Sequence, residues 1–137
     1  MDTLVYSSSL FLIPANIAAM NGQYVLMNTL IGLSLTSWAH HSNWQVCPGR
    51  TVYCELDNVM CYFTIYYTFM YAILYSSRWQ CALYMVCLSC VFYSYYNVNK
   101  NENYDKRGLS NWRYHKYHIL MHVSACIGMT IIALQGF

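Results

Sequence analysis

The sequence predicts an all-α, multi-pass transmembrane bundle of about five spans, folded as one domain over residues 1–137. Three observations predict it. Charged residues are 9% of the chain, against about 25% in an ordinary soluble domain. Hydrophobic residues are 58%, so a surface this poor in charge needs lipid as its solvent. Fifteen tyrosines and four tryptophans suit a lipid–water boundary, where one edge of the ring stays wet. The net charge of +2 offers no basic surface, and no nucleic-acid partner is expected.

The spans follow from the charge map. No Asp, Glu, Lys or Arg lies between Asp2 and Arg50. That run exceeds one span, since about 20 apolar residues cross a bilayer. Asn21-Gly22 is a turn signal and divides it into helices over roughly 3–20 and 23–41. Small residues Ala15, Ala18 and Ala19 resemble a signal-peptide cleavage region, but the basic n-region is missing, so the first helix reads as a retained span. Charge-free runs at 58–77, 79–99 and 117–137 place the remaining helices at roughly 57–76, 79–97 and 112–135. Ser76-Ser77-Arg78 is the hairpin between the third and fourth, and the polar stretch 97–111 is the loop before the fifth.

Five spans put the termini on opposite sides. Arg50, Lys100, Lys106, Arg107, Arg113 and Lys116 then share the N-terminal side, with Arg78 opposite, so the positive-inside rule favours a cytoplasmic N-terminus. Five of the seven cysteines sit in apolar stretches as small hydrophobes. Cys47 and Cys54 flank a polar loop and are a candidate disulfide. Such a bond needs an oxidising compartment and therefore opposes that orientation.

All five histidines fall in two places. His40 and His41 end the second helix, and His115, His118 and His122 open the fifth. Ser37 and His41 are four apart and share a helical face, as do His118 and His122. With alternating spans, His41, Asp57, His118 and His122 lie at one depth near one leaflet. A single histidine near a helix end is more often an interfacial side chain, and Asp57 alone is a natural helix cap. Their coincidence at one depth favours a metal site instead. Three neutral imidazoles and one open position make a catalytic-type zinc site. Imidazole also suits iron, copper and nickel, so Zn²⁺ is a preference. HILMH lacks the Glu of the HExxH metalloproteases, and Asp57 is the acidic residue placed to act as base. His40 and His115 are secondary candidates.

Ser-x-x-x-His ending the second helix, an Asp at the third and His-x-x-x-His on the last together resemble the signature of the CREST superfamily. That group holds the alkaline ceramidases, the progestin/adiponectin receptors and the branch of myomaker and the post-GPI-attachment phospholipase. Pro14, His40-His41, Cys47-Pro48-Gly49, Cys54, Asp57, Tyr62-Phe63 and YHKYHILMH look most like the last branch. The likeness covers about residues 1–76 and 112–135. It implies zinc on His41, His118 and His122, with Ser37 and Asp57 assisting. The family pattern has seven helices, so a pair between the fourth and last would be missing here. Losing an even number keeps the last helix entering from the same side. It also leaves fewer helices to wall the pocket, so a lipid chain is half enclosed or a second copy completes the wall.

Three functions compete. The first is an integral membrane zinc hydrolase of a lipid amide or ester, with Asp57 handling the proton and Ser37 bonding the water or the oxyanion. The second is a non-catalytic, myomaker-like membrane-remodelling or partner-binding protein with a structural zinc. The third is a b-type haem protein ligated from the second and fifth helices, which needs two imidazoles facing across a wide gap.

Overall fold

The computed structural model describes residues 3–44, 52–105 and 112–135, and every regular element among them is helical. The elements are α1 (Thr3–Ser8), a 3₁₀ turn (Ser9–Phe11), α2 (Leu12–Met20), α3 (Tyr24–Trp44), α4 (Val52–Tyr75), α5 (Arg78–Asp105) and α6 (Trp112–Ala133). Cys47, Pro48, Gly49, Arg50, Lys106 and Arg107, with the proposed Cys47–Cys54 bond, lie outside the described residues.

Each helix buries the stripe its sequence periodicity dictates. On α6 the stripe is Tyr114, His118, His122, Cys126, Met129 and Ala133, one residue per turn. On α3 it runs Leu26, Leu30, Leu33, Ser34, Ser37 and His41. The first helical segment supplies Leu4, Ser7, Ser8, Phe11, Pro14, Ala15 and Ala18. On α5 Tyr84, Leu88, Val91, Ser94 and Val98 form a seam that lies along α6. The segment α1–α2 packs between α3 and α6, α4 packs mainly on α3, and α5 mainly on α6. The remaining faces of α4 and α5 expose Tyr62, Phe63, Tyr66, Ile73, Val86, Phe92 and Tyr96.

Local chemistry fixes the turns. Gly22 adopts φ 70°, and Gln23 N–H donates to Ala18 C=O (2.8 Å) while Gly22 N–H donates to Ala19 C=O (3.1 Å). That is the Schellman pattern, and only glycine takes this φ without strain. At the α4–α5 hairpin, Ser77 and Gln80 cap each other: Gln80 N–H donates to Ser77 Oγ and Ser77 N–H to Gln80 Oε1, the reciprocal capping box. At the same end of the bundle Asn21 Nδ2 donates to Ala133 C=O, Gln23 Nε2 to Gln135 C=O and Ser76 Oγ to Gln135 Oε1.

Three departures from the sequence expectation have physical causes. The first helix is broken by its 3₁₀ turn. Pro14 has no N–H to offer the Leu10 carbonyl four residues back, and Cys126 Sγ of α6 takes that acceptor at 3.3 Å. Second, α4 starts at Val52, so Asp57 lies in its second turn and not at its start. Third, α5 runs on to Asp105, well past 97, so the stretch expected to be loop is largely helix. Nothing in NVNKNEN breaks a helix; polarity marks where an apolar environment ends, not where backbone hydrogen bonding ends.

Among the described residues, three segments are long and apolar enough to cross a membrane: Thr3–Met20, Arg78–Lys100 and Tyr114–Ala133. The other two have the length but are less apolar. In α3 the last turns carry Thr36, Ser37, His40 and His41. In α4 Glu55, Asp57 and six tyrosines dilute the aliphatic content.

Candidate metal centre

The histidines meet at the end of the bundle opposite the Asn21–Gly22 turn. His41 projects from the last turns of α3, and His118 and His122 from one face of α6. All three are buried, and one ring nitrogen of each lies within 4.8 Å of the other two. Ring centroids are 4.7 Å apart for His41–His118, 5.6 Å for His41–His122 and 4.9 Å for His118–His122. Among the described residues these three form the group that can hold a metal ion.

The surroundings explain why the rings converge. Phe11 meets His122 edge-on at 5.4 Å, and buried Tyr114 lies 5.4 Å from His118. Ser7 Oγ is 2.8 Å from His122 Nδ1. By contrast, His41 Nε2 and His118 Nδ1 are buried with no hydrogen-bond partner. Orphaned polar atoms in an interior cost about 1–3 kcal/mol each. A cation held on those nitrogens would remove that cost, and three neutral imidazoles are a donor set that suits a divalent transition metal.

The other expected site residues are placed differently. His40 is buried, with its ring 4.9 Å from that of His41, but it is not one of the three converging donors. His115 is half-buried beside Tyr114 and also stands outside the set. Asp57 is half-buried on α4, 3.5 Å from Thr36 Oγ1. The single Thr36 proton has nearer acceptors in the Gly32 and Leu33 carbonyls, at 3.1 and 3.2 Å. The carboxylate is therefore weakly tied and does not join the imidazoles. Ser37 is fully buried, 3.0 Å from Ser8 Oγ. Ser8 Oγ also lies 3.0 Å from the Leu4 carbonyl, and either hydroxyl can donate in the contact between the two serines. Ser34 Oγ donates to the Ser8 carbonyl. Cys54 sits in the first turn of α4, with Asn58 Nδ2 3.7 Å from its sulfur.

Sequence reasoning missed Ser7, Ser8 and Phe11. The available signal was the Ser7-Ser8-Ser9 run, three hydroxyls in a segment otherwise apolar enough to span lipid. Three rings converge on one point, whereas the haem reading calls for two imidazoles facing each other across a wide gap.

No protein-family model, curated protein or solved structure matches the chain.

Proposed function

We propose that the chain is a five-span integral membrane protein that holds Zn²⁺ on His41, His118 and His122 and hydrolyses a lipid amide or ester. The observation that carries the reading is the convergence of three buried imidazoles from two helices remote in sequence, two of them with orphaned nitrogens. Resemblance to the CREST superfamily supports the choice of zinc and of a lipid carbonyl. The exposed apolar faces of α4 and α5 support lipid as the surrounding medium.

When bound in such a site, zinc supplies a Lewis acid and, through it, a nucleophile at neutral pH. The protein's own groups divide the remaining work. Ser7 and Phe11 hold His122, and Tyr114 covers His118. Ser37, buried beside Ser8, bonds the water or the oxyanion. Asp57, loosely held by Thr36, moves toward the substrate to take the proton. Metal analysis of detergent-purified protein, followed by turnover on ceramide and phospholipid panels, tests the reading. Zinc at one per chain and activity lost in a His118→Ala, His122→Ala double variant are expected. Equal activity in wild type and double variant ends the catalytic claim.

One observation favours a second reading, a structural zinc in a remodelling or partner-binding protein: Asp57 stands outside the three-imidazole set. Zinc-dependent thermal stability with no turnover on any lipid distinguishes it.

A further inference from the structure

The hydroxyl of Ser7 touches two groups, and its single proton can serve only one. Ser7 Oγ lies 2.9 Å from the Leu4 carbonyl, which has no proton to give, so Ser7 must be the donor there. Its contact with His122 Nδ1 at 2.8 Å is then one in which Ser7 accepts. With the Ser7 proton on that carbonyl, the imidazole nitrogen is the donor and carries the proton. A neutral imidazole has one N–H, so Nε2 is left with the lone pair.

We propose that Ser7 is a positioning residue that sets the tautomer of His122, holding Nδ1 protonated and presenting Nε2 as the donor to the cation. The assignment of a purpose to that tautomer rests on the metal reading above; the tautomer itself does not. Three features make the device specific. The Leu4 carbonyl lies within hydrogen-bond reach of both the Ser7 and the Ser8 hydroxyl, an acceptor for their protons on their own segment. Phe11, one turn further along the same segment, sets the plane of the His122 ring from another side. The partner of the last helix is thus built into the first, 115 residues away. Metal-bound histidines are commonly oriented by such an acceptor on the far nitrogen, and losing it typically costs 10–100-fold in metal affinity.

The test uses the full chain in lipid nanodiscs, labelled with ¹⁵N-histidine. Ser7→Thr keeps the oxygen, and Ser7→Val replaces it with a methyl group of nearly the same shape, so the pair separates hydroxyl from packing. Solid-state NMR of metal-free wild type is expected to show His122 as Nδ1–H with a bare Nε2. Ser7→Thr keeps that signature, and Ser7→Val gives a mixture of tautomers. Zinc affinity by chelator competition is expected to be near wild type in Ser7→Thr and about 10–100-fold weaker in Ser7→Val. His122 protonated at Nε2 in the metal-free wild type, or equal affinity in the two variants, overturns the proposal. If the wild type binds no zinc at all, the metal reading fails separately. The tautomer signature then decides alone: Nδ1–H lost in Ser7→Val upholds the assignment, and its absence overturns it.

Discussion

Replacing His41 by alanine is the sharpest perturbation of the site, because His41 is the only one of the three imidazoles that comes from α3. The change leaves His118 and His122 as a two-donor pair on a single helix. Four-ligand zinc sites bind with about 10–16 kcal/mol, or about 2.5–4 kcal/mol per protein ligand, so one lost ligand weakens binding roughly a hundredfold to a thousandfold. At zinc one hundred times the wild-type dissociation constant, the wild type gains about 2.7 kcal/mol of stability. At about 4 °C per kcal/mol for a domain of this size, that is a rise of about 10 °C in Tm. At the same zinc concentration the variant sits at or below its own dissociation constant and gains less than about 0.4 kcal/mol, under about 2 °C. Chelator competition and zinc-dependent thermal melts in detergent read both numbers. His115→Ala, outside the converging set, is the control and should behave as wild type. A folded His41→Ala protein that binds zinc within threefold of the wild type would refute a cation bridging α3 and α6.

Further outcomes follow from individual contacts. Ser37→Ala removes one donor but leaves Ser8 bonded to Leu4 C=O, so the melt should fall by the equivalent of only about 0.5–1.5 kcal/mol. Pro14→Ala restores an N–H to the Leu10 carbonyl and competes with Cys126; infrared spectroscopy should show the Cys126 S–H stretch moving to the frequency of an unbonded thiol. A Cβ at Gly128 would stand 3.0 Å from Cys87 Cβ, so Gly128→Ala should cost about 1–3 kcal/mol, and Cys87→Gly should recover most of it in a double-mutant cycle. Thr68→Val removes the 2.7 Å partner of the Tyr84 hydroxyl and should cost about 1–3 kcal/mol, whereas Tyr84→Phe in the Thr68→Val background should recover part of that loss.

The helical class and the pairing of His41 with His118 and His122 were legible because both rest on periodicity. Residues four apart share a face, and alternating helices bring the end of one beside the start of another. Asn21-Gly22 was legible for the same kind of reason, since the dipeptide encodes a positive φ that the backbone then uses. The end of α5 was not, because a charge map reports where lipid stops and carries no information on where a helix stops. The position of Asp57 depended on that same confusion: the helix begins five residues upstream, at Val52, in sequence that reads as loop. Ser7 and Ser8 were hidden for a different reason. A serine in an apolar helix is ordinarily bonded back to its own backbone, and both do make that bond. Only the fold shows that each also meets a group on another helix, His122 for Ser7 and Ser37 for Ser8.

The span of 115 residues between Ser7 and His122 sets an order of events during synthesis. The α1 segment leaves the ribosome before α6, with Ser7 and Ser8 already close to the Leu4 carbonyl. Two of the three imidazoles arrive only with α6. A chain interrupted anywhere before residue 118 therefore lacks both α6 imidazoles, and the three-ring cluster forms only once α6 has packed against α3 and α1.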